Sequence, residues 1–213
     1  MQRLRVSFTR EEELKFLSHL DIMKLWGRAL HRANVPLAYS QGFVQHPRIS
    51  LAAPLSVGMT SQAELMDVYL SRWLSPPVFI KQVLPQLPCG TTLLDACSIN
   101  LDGPSLQAAV RFAEYRVELG NNSDSPTVEL AIKALLSARG LPWQHQRDSG
   151  IRCYDLRSLI DDIWVIAMQD TCCVLGMRLQ CSSKGAGRPE QVTRALGWQQ
   201  RPCVIHRTRL ILA

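Results

Sequence analysis

The stretch Leu101-Asp102-Gly103-Pro104-Ser105 decides the fold, because a similar succession of strands and helices lies on either side of it. Asp, Gly and Pro in a row are typical of a turn or linker. Before this stretch the pattern predicts strand, helix, strand, strand, helix, strand, and after it the pattern starts again. Two copies of βαββαβ predict an α+β fold of tandem ferredoxin-like domains with antiparallel sheets. The predicted division is 1–102, a linker at 103–109, and 110–213.

Working outward from the linker, apolar periodicity predicts the individual elements. In 3–8, the alternation directs Leu4, Val6 and Phe8 to a core. Ser18 followed by Asp21 is a capping-box pattern that begins a helix. The predicted buried face of that helix is Leu20, Met23, Trp26, Leu30 and Ala33, with its end at Asn34 before Pro36. The other predicted strands are 35–39, an extended run after His46-Pro47, 63–70, 91–99, 111–119, 142–147, 151–156, 163–169, 172–180 and 203–212, and the other helices begin at 75–76, 125–126 and 189.

Composition and charge restrict the function classes. The 213 residues carry a net charge of +6, with 24 Lys plus Arg. Arginine predominates, which suits phosphate binding and favours a nucleic-acid or nucleotide partner, although GC-rich codon usage explains the bias equally well. No stretch matches a membrane helix or a signal sequence, so the sequence predicts a cytoplasmic chain without a membrane partner.

The seven cysteines are typical of reduced thiols. Their number is odd, and none forms a Cys-x-x-Cys pair. The sequence therefore predicts neither a metal site nor a cofactor. Cys173 lies in an alternating apolar run and is expected in the core.

A basic stripe lies on the first predicted helix. Lys24, Arg28 and Arg32 are spaced by four residues, so they share one face, with His31 beside them. Such a stripe can bind a phosphate backbone. The alternative is the ordinary solvated face of an amphipathic helix.

The loop 39–48 combines side chains that recognise single-stranded RNA. Aromatic rings stack on bases, amides bond to base edges, and cations hold phosphates. The candidate RNA-binding residues here are Tyr39, Gln41, Phe43, His46 and Arg48. The alternative is a structural turn in which Phe43 enters the core and His46 caps a backbone carbonyl.

Two further groups of residues could have a function. His19 and His46 would act as acid and base in metal-independent RNA cleavage if the loop folds over the helix start. Arginine pairs on two strands, Arg3 with Arg5 and Arg207 with Arg209, predict either a second phosphate surface or ion pairs across a sheet, for which Glu114 and Glu118 are candidates.

Several motifs resemble one bacterial family. They are Phe16-Leu17-Ser18-His19-Leu20-Asp21, Leu37-Ala38-Tyr39-Ser40-Gln41-Gly42-Phe43, His46-Pro47-Arg48-Ile49-Ser50, Pro54-Leu55 with Val57-Gly58, Tyr154-Asp155-Leu156-Arg157 and Arg188-Pro189-Glu190. They resemble the bacterial radical SAM-linked protein family, a domain of unknown function found beside or fused to a radical SAM enzyme. Val44-Gln45 stand where the family is expected to have Asn-Pro. The resemblance implies a radical SAM protein as partner, yet this chain lacks the Cys-x-x-x-Cys-x-x-Cys triplet of such an enzyme.

The predicted function is that of an accessory or substrate-recognition protein of a radical SAM enzyme that binds RNA through the basic helix face and the 39–48 loop. One alternative is a metal-independent endoribonuclease that uses His46 and His19. Another is a module that docks the radical SAM partner without RNA, through an apolar sheet face that includes Trp164 and Trp198.

Overall fold

The computed structural model describes residues 1–120, 125–147, 150–169, 171–182 and 185–213. The chain forms two compact units, one of Met1–Val110 with Leu212–Ala213, the other of Arg111–Ile211. The fold is mixed α+β with mostly antiparallel strand pairs, which confirms the predicted fold class at this level. Each unit is described separately below.

The first unit follows the order strand, helix, strand, strand, helix, strand, and then a short helix. Its elements are β1 (Gln2–Arg10), α1 (His19–Arg32), β2 (Ile49–Leu51), β3 (Thr60–Leu70), α2 (Pro76–Val83), β4 (Leu93–Ile99) and α3 (Leu106–Ala109). The strand order across its sheet is β2-β3-β1-β4, and each neighbouring pair is antiparallel. The segment predicted as a linker at 103–109 thus contains α3.

The second unit contains the remaining elements. They are β5 (Val110–Gly120), α4 (Ser125–Ser137), β6 (Pro142–Arg147), β7 (Gly150–Asp155), β8 (Ile160–Gln169), β9 (Cys172–Ser182), β10 (Gly185–Ala186), α5 (Pro189–Ala195) and β11 (Val204–Leu212). β9 lies between β5 and β8, and β11 pairs with the other edge of β5. The β6–β7 hairpin forms a separate two-stranded sheet, so it departs from the pattern of the first unit.

The core of the first unit lies between α1, α2 and the sheet. Leu4, Val6 and Phe8 are fully buried, as the alternation in β1 predicts. Phe8 meets Trp26 of α1 edge to face, with 4.8 Å between ring centroids. The predicted apolar face of α1 is wrong at its start, because Leu20 is 67% exposed. The first turn of α1 extends beyond the face that packs on the sheet. The core residues of this helix begin at Ile22.

The predicted strand at 35–39 is wrong. Pro36 has no N–H to donate to a strand ladder, and Asn34 has a positive φ of 52°. The segment forms isolated bridges instead, from Leu37 to Leu70 and from Tyr39 to Pro47. The extended run after Pro47 becomes the short strand β2.

Arg3 and Arg5 do not form a phosphate surface. Both donate hydrogen bonds to the carboxylate of Asp67 on β3, and Arg3 is 1% exposed. The other guanidinium donors of Arg3 reach the carbonyl oxygens of Gly103 and Pro104, so this side chain ties the 103–109 segment to the sheet. Asp67 raises the pKa of Arg5 further through its side-chain hydrogen bond, which keeps that guanidinium charged.

Glu114 and Glu118 of the second unit pair with arginines that the sequence did not single out. Glu114 forms an ion pair with Arg178, and Glu118 forms an ion pair with Arg116. Arg207 is fully buried.

Cys173 lies in the core as predicted, and burial raises the pKa of its thiol. The proposed apolar face cannot include Trp198, because Trp198 is buried. Trp164 packs over Gly176, where a Cβ would lie 2.1 Å from the indole, but it is 36% exposed.

Candidate nucleic-acid interface

A groove of about 840 Å³ lies between one face of α1 and the loop that precedes β2. We call it the α1 groove. It is lined by His19, Leu20, Met23, Lys24, Gly27, Arg28, His31, Arg32, Tyr39, His46, Pro47 and Ile49. Its surface is mostly apolar, with cations and imidazoles along the helix side. All three cations of the predicted basic stripe therefore line the same groove as Tyr39 and His46 of the predicted loop site.

Gly27 keeps the groove open at its middle. A Cβ at this position would lie 4.0 Å from Cγ of Pro47, which is ordinary van der Waals contact. Alanine therefore fits, whereas a longer side chain would enter the space between helix and loop.

The cations of the basic stripe form a ridge. On their far side, Lys24, Arg28 and Arg32 border a second hollow together with Asp21 and Pro88. Within the described part of the chain, neither Lys24 nor Arg28 makes a hydrogen bond or an ion pair. Arg32 donates to the carbonyl oxygen of Gln86 at 2.7 Å. Lys24 and Arg28 are thus the cations best placed to receive an anion.

The start of α1 is fixed by a full capping box. The Ser18 hydroxyl accepts from the backbone N–H of Asp21, and the Asp21 carboxylate accepts from Ser18 in return. The hydrogen bond from the Ser18 side chain lowers the pKa of Asp21 below its usual value. This local bond pattern confirms the helix start that the sequence predicts, and it positions His19, Leu20 and Lys24 along the groove.

We expect Ser18→Ala to destabilise the first unit by about 1 kcal/mol, because a helix donor loses its cap. The pKa of Asp21 is lowered in the folded chain, so the ionised Asp21 carboxylate stabilises the folded state. This contribution to stability is present above about pH 4 and is lost as the pH falls below that range. The difference between wild type and variant in urea titrations should therefore shrink on acidification. An equal difference at pH 7 and pH 3 would contradict the coupling between Ser18 and Asp21.

The loop 39–48 is held closed at its base. The amide of Ser40 donates to the carbonyl of His46 at 2.9 Å, and the Ser40 hydroxyl accepts from the amide of His46 at 3.0 Å. Tyr39 is 42% exposed and lines the groove. Phe43 is fully exposed, so the alternative in which it enters the core is wrong.

Three of the predicted RNA-binding residues do not line the α1 groove. Gln41 and Phe43 lie at the exposed tip of the loop. Arg48 lies over the Tyr69 ring, with 4.5 Å from its guanidinium carbon to the ring centroid. The aromatic face of Tyr69 attracts a cation, so Arg48 points to the sheet.

His19 and His46 line the same groove, one from the start of α1 and one from the loop. The residues that the sequence reasoning missed are apolar: Leu20, Met23, Gly27, Pro47 and Ile49. A periodicity signal is present, since 19, 23, 27 and 31 share a helix face. The sequence instead predicts Leu20 and Met23 on the buried face of α1, because both are apolar. Within the described ranges, no group of three or more side chains could hold a metal ion.

The fold and the groove together define an α+β chain of two units, of which the first has a cation-edged apolar groove. The chain belongs to the family described as "Uncharacterized protein conserved in bacteria (DUF2344)", whose model matches residues 3–189. This confirms the predicted membership of a bacterial family of unknown function.

Solved structures resemble the chain in fold. One is a chain of a crystal structure of a Cbf5-Nop10-Gar1 complex, with a TM-score of 0.54, 9% identity, and coverage of 97% of this chain and 48% of that chain. Another belongs to the archaeal box H/ACA sRNP Nop10-Cbf5 complex, with a TM-score of 0.50, 8% identity, and coverage of 99% and 48%. This chain spans about half the length of those chains. No curated protein matches it. Across the described residues, no helix has both the length and the apolar character needed to cross a membrane.

Proposed function

We propose that the first unit binds single-stranded RNA in the α1 groove. The observation that carries this proposal is the combination of an exposed aromatic ring, an apolar floor and a row of cations in one groove. Bases stack on Tyr39 and contact Leu20 and Met23, while Lys24 and Arg28 neutralise phosphates. The structural neighbours include a ribonucleoprotein, the archaeal box H/ACA sRNP, which agrees with an RNA ligand.

The test is fluorescence anisotropy of a labelled single-stranded RNA pool at two salt concentrations. Lys24→Ala/Arg28→Ala removes the two stripe cations that form no hydrogen bond or ion pair with a described residue, and Arg72→Ala/Lys81→Ala removes two other exposed cations of the same unit. Each lost phosphate contact reduces the log–log salt slope by about 0.7, so the first variant should lose about 1.4 of the slope and about tenfold in affinity. The control variant should match wild type. An equal loss in both variants, or no binding by wild type at low salt, would overturn the proposal.

A second candidate function is metal-independent RNA cleavage by His46 and His19. It is favoured by the position of both imidazoles in the α1 groove. One imidazole would take the proton of a ribose 2′-hydroxyl as its oxygen attacks the adjacent phosphorus. The bond from phosphorus to the 5′-oxygen breaks, and the other imidazole protonates that leaving oxygen. His46→Ala should then abolish cleavage of a bound RNA while its affinity remains. If wild type leaves the bound RNA intact, binding without cleavage is the function.

We further propose, from the family resemblance, that the chain is an accessory protein of a radical SAM enzyme in the cytoplasm. Free cysteines agree with a reducing compartment. Under this proposal the two units are tandem ferredoxin-like domains, with the β6–β7 hairpin as an addition to the second, and the boundary falls within 103–109. Co-purification of the tagged chain with a radical SAM protein tests the partnership. A partner retained without RNA affinity would favour the protein-docking alternative.

A further inference from the structure

Another pocket lies within the second unit and shares no lining residue with the α1 groove. It has a volume of about 540 Å³ and is bounded by the β6–β7 hairpin, α5 and the segment after α5. We call it the Trp143 pocket. Its principal lining residues are Trp143, Arg188, Glu190, Gln191, Arg194 and Arg201.

The Trp143 pocket is cationic. Three arginines line it against one carboxylate, that of Glu190. Arg194 and Arg201 are exposed, and neither forms an ion pair with any described residue. A guanidinium offers a planar pair of donors that matches phosphate oxygens. Two exposed arginines that line the same pocket therefore suit a phosphate group.

Two lining residues of the pocket carry buried polar atoms that have no hydrogen-bond partner among the described residues. Gln191 is 7% exposed, and its Oε1 accepts a hydrogen bond of 2.5 Å from the hydroxyl of Tyr154. This bond leaves the Gln191 Nε2 buried without a partner among the described residues, and the same holds for Oε2 of Glu190. Buried polar groups in folded proteins are nearly always paired, so an unpaired donor and an unpaired acceptor on two consecutive lining residues point to a ligand.

The chemical types of these atoms indicate the class of ligand. The Gln191 amide is a donor and the Glu190 carboxylate is an acceptor, and the two residues are consecutive in the pocket wall. The Watson–Crick edge of every nucleobase carries both an acceptor and a donor. Trp143 lines the same pocket and is the register partner of Tyr154 in the hairpin. Aromatic side chains stack on bases irrespective of their sequence.

We propose that the Trp143 pocket binds one nucleotide. The base stacks on Trp143, and the Watson–Crick edge of the base bonds to Gln191 and Glu190. The phosphate binds to Arg194 and Arg201. The nucleotide is either a free nucleoside monophosphate or one residue of an RNA strand. The observations come from the second unit alone, so this site does not depend on the function proposed for the α1 groove.

The first arm of the test uses free nucleotides. The whole chain is titrated by calorimetry with AMP, GMP, CMP and UMP, and with inorganic phosphate as the probe without a base. Arg194→Gln/Arg201→Gln removes the phosphate contacts, and Arg111→Gln/Arg139→Gln makes the same charge change at two exposed positions outside the pocket. For a free ligand, the first variant should bind at least tenfold more weakly, the second should match wild type, and Trp143→Ala should lose the preference for nucleotide over phosphate.

The second arm uses RNA in the Lys24→Ala/Arg28→Ala background, where the α1 groove is disabled. If the nucleotide is part of a strand, the residual anisotropy signal of a short single-stranded RNA should fall at least tenfold on adding Arg194→Gln/Arg201→Gln. The Arg111→Gln/Arg139→Gln pair should leave it unchanged. Thermal melting establishes that each variant is folded. The proposal is overturned if nucleotides at millimolar concentration produce no heat and the residual RNA signal is insensitive to both arginine pairs, or if both pairs reduce binding equally.

Discussion

Replacing Asp67 by alanine should destabilise the first unit by about 3–5 kcal/mol. Asp67 is completely buried on β3, and its carboxylate accepts hydrogen bonds from both Arg3 and Arg5 on β1. Without that carboxylate, the Arg3 guanidinium remains buried with backbone carbonyls as its partners and no opposite charge. Arg5 is 19% exposed, so it can turn to solvent, whereas Arg3 cannot. The cost therefore arises from one uncompensated buried charge.

Urea denaturation of the whole chain, followed by tryptophan fluorescence, measures this effect. Glu12→Ala is the control, because it breaks the exposed pair with Lys15 and should cost less than about 1 kcal/mol. A second variant, Arg3→Met/Asp67→Leu, removes both charges and should recover part of the loss, since no charge is then buried alone. A cost below about 1 kcal/mol for Asp67→Ala would contradict the argument.

Replacing Trp26 by alanine should cost about 3–5 kcal/mol, the range for removal of a buried aromatic side chain. Trp26 is 1% exposed and meets Phe8 edge to face, so it anchors the middle of α1 on the sheet. The same helix carries Lys24 and Arg28 on its exposed side. We therefore expect this variant to weaken RNA binding as well, because the cations lose their fixed position relative to the loop.

Denaturant titration gives the stability change, and hydrogen exchange of the α1 amides shows where it acts. Val78→Ala on α2 is the control, since Val78 is partly exposed and should change stability by about 0.5 kcal/mol or less. If Trp26→Ala unfolds at the same urea concentration as the control, the anchoring role is wrong. If it destabilises the chain while RNA affinity is unchanged, the binding surface lies elsewhere than the α1 groove.

The two sites differ in how far the sequence reveals them. Lys24, Arg28 and Arg32 share a helix face by spacing alone, so the cationic side of the α1 groove follows from the sequence. Its apolar side does not, because Leu20 and Met23 have the spacing and character of core residues. The Trp143 pocket was not predicted at all. Its residues come from the β6–β7 hairpin and from the segment 188–202 around α5, and their meeting depends on packing over more than 30 positions.

The amino-acid sequence by itself determined most of the helices and strands of this protein, although not the segment at 35–39 or the helix α3. Alternation in β1, the Ser18 capping box and the glycine and proline breaks are local signals, because they arise from backbone geometry within a few residues. Tertiary structure alone decided what covers each face. It buried Arg3 on Asp67, placed Arg48 over Tyr69, left Leu20 exposed and brought Tyr154 to Gln191. The physical reason is that a pattern fixes which side chains share a face, while their exposure and partners depend on residues far along the chain.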